Sequence, residues 1–220
     1  MAIRVALIDL YETLVAGDWT LWRDLVGSRI GVETAVLDRA FDETREARNT
    51  GVFGSEEEDW DAILAAAEVP PDPALVHDLV TIQREFMTTG VRLYDDSLPV
   101  VRALRSRGAR TALVSNCSRD TAHVVDRLGL RDEFDAVILS FEVGARKPDA
   151  AIYEAALAAI DAETRDGVFV DDQAAYCDGA RSLGMDTRLI RRPAASPREG
   201  FSPSTDGHRV IGDLTALLDI

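Results

Sequence analysis

The chain has little cysteine, little positive charge and no long apolar run. Its 220 residues include two cysteines, Cys117 and Cys177, in unrelated contexts. Neither belongs to a Cys-x-x-Cys pair, which argues against a disulfide framework and against a zinc site. The three histidines, His77, His123 and His208, lie in separate segments without ligand spacing, so structural or surface roles are expected of them. No stretch approaches the ~20 apolar residues of a membrane span. The run Val5 to Ile8 is too short for a signal peptide and ends on Asp9, which suits a strand better. Lys and Arg number 24 against 39 Asp and Glu, a formal charge of −15. A field of that sign repels nucleic acid and anionic membranes, and no basic stripe interrupts it. The expectation is a reduced, cytoplasmic protein with a small-molecule substrate.

What is present is a globular composition. Hydrophobic residues make up 46%, and the length suffices for one packed core plus a smaller module. An acidic surface remains compatible with an anionic substrate. A local lysine, a metal ion and backbone N–H groups reverse the potential inside a cleft.

Residues 3–8 form a compact apolar, β-branched run, read as a strand buried on both faces. A long stretch without strand signals follows. From Asp18, placed as an N-cap, Trp19, Trp22, Leu25, Val26 and Ile30 fall at helical spacing. Residues 34–48 repeat the pattern with Val36, Leu37, Ala40 and Phe41. Two more helices are expected over residues 56–67 and 73–88, separated by Pro70-Pro71-Asp72-Pro73. After Pro99 the rhythm becomes alternating. Helices are expected at 100–107, 121–128, 150–160 and 174–183, and strands at 110–115, 136–140, 167–171 and 187–190. Residues 193–204 read as loop, and residues 205–220 as a closing strand and helix. Such alternation implies right-handed βαβ units and a parallel sheet. The expected fold is α/β, a Rossmann-like parallel-sheet core made of residues 1–14 and 91–220. A four-helix bundle cap, residues 15–90, is inserted after the first strand.

In open parallel sheets, functional groups gather beyond the carboxyl ends of the strands. Four such ends here carry polar residues: Asp9, Ser115-Asn116, Lys147-Pro148-Asp149 and Asp171-Asp172. One polar strand end is ordinary. Carboxylates converging from several strands repel each other and raise their own pKa values, and a bound divalent cation is the natural remedy. Hard oxygen ligands favour Mg²⁺.

Here the sequence resembles a known superfamily. The run from Val5 through Asp9-Leu10-Tyr11-Glu12-Thr13 resembles the first motif of the haloacid dehalogenase-like hydrolases, an apolar strand ending in Asp-x-Asp-Gly-Thr. Val114-Ser115-Asn116 is similar to their second motif, and Arg146-Lys147-Pro148-Asp149 with Ile152-Tyr153 to their third. Phe169-Val170-Asp171-Asp172, followed by Gly179-Ala180 and Leu183-Gly184-Met185, is similar to the fourth. The motifs occur in the family's order, and the helical insert matches its cap. The resemblance implies that Asp9 attacks phosphorus or carbon to form a covalent aspartyl intermediate. It implies a metal held by Asp9, the backbone carbonyl of Tyr11 and Asp172, with Asp171 as a further or water-mediated ligand. It also implies that Ser115 hydrogen-bonds the phosphoryl or carboxylate group of the substrate, and it puts Asn116 among the catalytic residues. Lys147 would sit between Asp9 and the fourth-motif carboxylates, and Thr13 would buttress the loop.

Two positions depart from the phosphatase pattern. Tyr11 stands where those enzymes carry the general acid–base Asp, and a phenol, ordinarily titrating near ~10, is a poor base at neutral pH. Glu12 stands where the family has Gly, and its side chain should point away from the site. Tyrosine is what the metal-free 2-haloacid dehalogenases of the superfamily carry. Their fourth motif, however, reads Ser-Ser-Asn and then Asp, where this chain has Asp171, Asp172, Gln173 and Tyr176. Their substrate-gripping cap arginine has only Arg39 and Arg45 as loose counterparts here. Three readings follow: Mg²⁺-dependent phosphate-ester hydrolysis, which Asp171-Asp172 favours; hydrolytic dehalogenation, which Tyr11 favours; and a catalytically silent binding module, suggested by the carboxylates absent at Tyr11 and Tyr176. Simpler roles are also open. Asp171-Asp172 would serve as a helix N-cap pair and Ser115 and Asn116 as turn formers, while Trp19 and Trp22 would pack inside the cap in preference to facing the cleft and shaping substrate choice.

Overall fold

The computed structural model describes residues 3–192, 205 and 207–219. Strand β1 (Val5–Ile8) is buried along its whole length, as an unbroken apolar run requires. Successive side chains point to opposite faces, so Ala6 and Ile8 join one apolar cluster while Val5 and Leu7 join another. A short strand β2 (Val15–Gly17) leads into four helices, α1 (Trp19–Ile30), α2 (Thr34–Asn49), α3 (Glu56–Ala66) and α4 (Pro73–Thr89), and β3 (Val91–Leu93) leads out. Three of these helices start on side-chain caps: Asp18 accepts from the Leu21 N–H, Ser55 from Glu58 and Asp72 from Ala74. Pro73 sits at the first helical position, where its missing N–H leaves nothing unsatisfied. The helices meet through aromatic edges, Trp22 on Phe41 at 4.9 Å and Phe41 on Trp60 at 5.8 Å between ring centroids.

The remainder alternates. It runs α5 (Ser97–Ser106), β4 (Arg110–Ser115), α6 (Thr121–Arg127), α7 (Leu130–Glu133), β5 (Ala136–Leu139), α8 (Ser140–Val143) and α9 (Ala150–Ala159). Then follow β6 (Gly167–Asp171), α10 (Ala174–Ser182), β7 (Asp186–Ile190), β8 (Val210–Ile211) and a 3-10 turn at Leu214–Asp219. Six strands make one sheet in the order β5-β4-β1-β6-β7-β8, every pair parallel. Ile8 is level with Leu113 of β4 and Val170 of β6, so Asp9, Ser115, Asp171 and Asp172 all leave the sheet at one end. The α/β parallel-sheet architecture expected from the sequence is therefore present, and the site's residues lie at its switch point.

Four details differ from the expectation. First, residues 15–17 are strand rather than the start of the helical insert. They pair antiparallel with β3, Val15 opposite Leu93, in a ribbon whose three-residue arms are too short for a period-two pattern to register. Second, α5 begins at Ser97, not 100, because Pro99 lies in its first turn, where no intrahelical N–H is needed. Third, α7 and α8 are single turns that periodicity does not resolve. Fourth, the closing segment has a two-residue strand and a 3-10 turn instead of a full strand and an α-helix. The loop expected at residues 193–204 lies outside the described residues. Among the described residues, no helix is long and apolar enough to cross a membrane.

Candidate active site

Asp9 is the first residue beyond β1. Its backbone N–H donates to the Val170 carbonyl at 3.0 Å, which fixes it against β6. Lys147, in the loop after α8, reaches into the sheet end from the far side of the chain. Its ammonium is buried and donates to Asp9 Oδ1 at 2.5 Å, to Asp171 Oδ2 at 2.5 Å and to the Val114 carbonyl at 3.0 Å. All three ammonium donors are thus used. The Phe169 and Tyr176 rings lie 5.5 and 5.1 Å from the nitrogen and cover it.

Asn116 holds this lysine in place through its backbone. Its amide donates to the Lys147 carbonyl at 2.8 Å, and its side-chain oxygen accepts from the Lys147 N–H at 2.7 Å. Asn116, expected among the catalytic residues, acts here as a clasp on the lysine loop, where the Lys147-Pro148 peptide is cis. Tyr153 supports the same wall, its hydroxyl donating to the Tyr176 carbonyl at 2.7 Å.

Burial and the two carboxylates act in opposite senses on Lys147. Desolvation pulls its pKa down, Asp171 and Asp9 more than offset it, and the ammonium stays charged with its pKa raised. Asp171 is pushed well above the usual carboxylate range by burial and by Asp9, against the pull of Lys147. Both of its oxygens are engaged, Oδ2 by Lys147 and Oδ1 by the Gln173 N–H at 2.7 Å. Asp172 accepts from the Gln173 side chain at 2.9 Å. Ligand oxygens of Asp9, Asp171 and Asp172 all lie within 4.8 Å of one another.

Ser115 ends β4 with its hydroxyl fully buried and without a hydrogen-bond partner among the described residues. Thr13 is equally buried and its hydroxyl likewise unpartnered, while its carbonyl accepts from Arg192. Glu12 turns away from the site, as expected. It adopts a left-handed backbone (φ 56°), the conformation for which glycine is the usual choice. Its carboxylate accepts from Trp19 Nε1 at 2.8 Å and from the Tyr94 hydroxyl at 3.0 Å, tying the start of α1 to the end of β3.

Above these residues is a cavity of about 200 Å³. Asp9, Tyr11, Asn116 and Asp172 line its floor, and α1, α2 and α4 provide the opposite wall. The Tyr11 hydroxyl shares a hydrogen bond with Thr121 at 2.9 Å. Trp19 and Trp22, expected to pack inside the cap in preference to facing the cleft, line the cavity. Arg45 lines it too, whereas Arg39 is exposed on the outside, paired with Glu43. Tyr176 stands at the rim and Cys117 beside Asn116, its thiol pushed up to about 12 by burial and so unreactive. Arg48, Asn49 and Gln83 complete the helical wall, and none of the three was signalled by the sequence. His123 lies away from the chemistry, with its Nε2 2.8 Å from Glu56 Oε1 where α6 meets α3.

An open parallel sheet with a charged cluster beyond its strand ends is the architecture of an α/β enzyme. More narrowly, the chain belongs to the haloacid dehalogenase-like hydrolases, whose family model matches residues 3–184. A haloacid dehalogenase-like hydrolase domain-containing protein 3 from Bos taurus is 30% identical over 215 residues, spanning 80% of this chain and 83% of that one. A phosphatase from Mycobacterium tuberculosis is 31% identical over 128 residues, 57% of this chain and 56% of that protein. Among solved structures, a HAD family enzyme from Bacteroides thetaiotaomicron in complex with magnesium and inorganic phosphate superposes with a TM-score of 0.69. It is 20% identical, covering 92% of this chain and 98% of that one. An L-2-haloacid dehalogenase from Xanthobacter autotrophicus shares the fold equally well, with a TM-score of 0.68 at 16% identity over 98% and 96% of the two chains.

Proposed function

We propose that this hydrolase cleaves small phosphate monoesters with Asp9 as nucleophile and Mg²⁺ as cofactor. The observation that carries the reading is the trio Asp9, Asp171 and Asp172, three carboxylates clustered around a single ammonium. A buried site with that charge balance is stabilised by a divalent cation, and an all-oxygen donor set fits Mg²⁺. Asp9, Asp172 and the carbonyl of Tyr11 would hold the ion. Asp171, with both oxygens engaged, would act through Lys147 or a bridging water. The cation would supply positive charge to the phosphoryl oxygens. The phosphatase relative and the neighbour holding magnesium and phosphate point the same way.

Asp9 Oδ1 is held by Lys147, and Oδ2 has no hydrogen-bond partner among the described residues, which leaves it for attack. The Oδ2–P bond forms as the ester P–O bond breaks. The departing alkoxide needs a proton, and Tyr11, a cavity-lining hydroxyl two residues beyond Asp9, donates it. Ser115, its hydroxyl unpartnered, donates to a phosphoryl oxygen. Water then attacks phosphorus, the bond to Asp9 breaks, and the proton lost by that water returns to the phenolate of Tyr11. The phenolate left by the first step is reprotonated by solvent at neutral pH, so little of it remains to take that proton and this second step is the slow one. The helices of residues 15–90 act as a cap that excludes water and selects the substrate. Two buried free thiols fit a reduced, cytoplasmic setting, and the net charge fits a protein with neither nucleic-acid nor membrane partners.

Thermal unfolding tests the metal reading. Mg²⁺ raises the melting temperature of the wild type and leaves Asp172→Ala unmoved. No shift in the wild type would remove this reading. Tyr11 supports a second one, metal-free displacement of halide from a 2-haloacid. Chloride release from 2-chloropropionate without added metal would put it first. A protein that binds neither Mg²⁺ nor a phosphate mimic would be a silent binding module.

A further inference from the structure

Arg48 is a buried cation that the chemistry above does not use. It lies on α2, in the cavity wall that faces Asp9, and is only 8% exposed. Its Nε donates to Thr44 Oγ1 at 3.0 Å and its Nη2 to the Phe41 carbonyl at 2.9 Å. The guanidinium stacks 4.9 Å from the centre of the Phe41 ring. Nη1 makes no hydrogen bond to the described residues, and no carboxylate among them lies within ion-pair distance of Arg48. The two other arginines of this wall differ in that respect: Arg23 is paired with Asp38 at 3.0 Å and Arg45 with Asp42 at 2.6 Å.

A buried guanidinium without a counter-charge is costly and needs a reason. Asp59 and Asp120 act on Arg48 only from beyond pairing distance, and Asp59, pushed up to about 7 by burial, is partly neutral at physiological pH. Burial lowers Arg48 itself to about 10, which still leaves it charged there. A second unfilled donor stands in the same wall. Trp22 lines the cavity, and its indole N–H is buried with no partner among the described residues. The helical wall thus offers hydrogen-bond donors and a positive charge opposite the site of phosphoryl attack.

We propose that Arg48 receives a second anionic group, a carboxylate or another phosphate, at the far end of the substrate. The substrate class is then a small phosphomonoester bearing a further anion, a reading that rests on the phosphatase assignment above. Arg48 and Trp22 select the leaving group, and Asp9 and its neighbours handle the phosphoryl group.

The test compares three substrates on one carbon skeleton, with Mg²⁺: 3-phosphoglycerate, glycerol 1,3-bisphosphate and glycerol 3-phosphate. In the wild type, kcat/KM for one of the first two exceeds that for glycerol 3-phosphate by about 10- to 100-fold, the usual worth of a hydrogen bond to a charged group. Which of the two leads tells carboxylate from phosphate. In Arg48→Gln the ratio falls to near one, and Arg48→Lys restores part of it. A loss of folded protein scales all three substrates alike and cannot produce that change in ratio. A wild-type ratio near one, or a ratio unchanged in Arg48→Gln, overturns the proposal while leaving the phosphatase reading intact. If no substrate releases phosphate, the phosphatase reading fails, and calorimetric binding of the same three compounds decides. A preference for the second anion that Arg48→Gln abolishes supports Arg48 as its receptor, and no such preference overturns it.

Discussion

Lys147 and Asp171 form an ion pair 2.5 Å long in which neither side chain is more than 1% exposed. Removing one partner of such a pair strands the other charge, which costs about 3–5 kcal/mol. Lys147→Met should therefore unfold at clearly lower urea concentration than wild type at pH 8. The deficit should shrink toward pH 5. Burial and Asp9 already hold Asp171 above the ordinary carboxylate range, and losing Lys147 removes the main pull against them. A carboxylate whose folded pKa is raised is stabilising to protonate, so stability lost at high pH returns as pH falls through that pKa. A deficit independent of pH would contradict the pairing.

Ser115 separates activity from stability. Its hydroxyl is buried without a partner among the described residues, so Ser115→Ala removes no hydrogen bond made there. The melting temperature should hold or rise slightly. Phosphate-ester turnover should fall by about 10- to 100-fold in kcat/KM, the effect of a lost hydrogen bond to a charged phosphoryl oxygen. Equal losses of stability and activity would assign Ser115 a merely structural role.

Tyr11 should make the second chemical step slow. Rapid mixing of enzyme and substrate should show a burst of alcohol ahead of phosphate, with the covalent aspartyl phosphate accumulating. Tyr11→Asp places a base in the same position and should raise kcat and remove the burst, within the ~10²–10⁴-fold range of general acid–base catalysis. A variant slower than wild type, with no burst in either, would show that Tyr11 does not limit turnover.

Asp59 carries a cost that grows with pH. Burial lifts its carboxyl to about 7, above the unfolded value of ~3.9. Between those values the folded state holds the proton more tightly, so this group's contribution to stability declines as pH rises through about 7. Asp59→Asn does not titrate. Its melting temperature relative to wild type should improve by a few degrees between pH 5 and pH 8. An unchanged difference would place Asp59 in contact with a counter-charge.

The sheet and its catalytic rim were legible because their signals are local and ordered. Apolar strands ending in Asp9, Ser115 and Asp171 announce themselves within a few residues, and Lys147 is recognisable by its Lys-Pro-Asp setting although it lies 138 positions from Asp9. Gly179 was legible for a steric reason that the structure supplies: a Cβ there would come within 2.7 Å of the Pro148 carbonyl and 2.9 Å of the Tyr153 hydroxyl. The cavity's helical wall was not legible. Periodicity identifies which face of α1 or α2 is buried, but Trp22 and Arg48 are buried at a boundary between helix packing and cavity, which no spacing distinguishes. Arg39 and Arg45 are six positions apart on one helix, and only the packing shows that Arg45 faces inward. The double hold of Glu12 on Trp19 and Tyr94 joins residues 82 positions apart and has no sequence signature.

Phosphate release from a panel of small phosphomonoesters, measured with and without Mg²⁺ for wild type and Asp9→Asn, tests the central claim most directly. Turnover should require Mg²⁺ in the wild type and be abolished in Asp9→Asn. Turnover that persists in Asp9→Asn, or that needs no Mg²⁺, or none on any substrate, would contradict it.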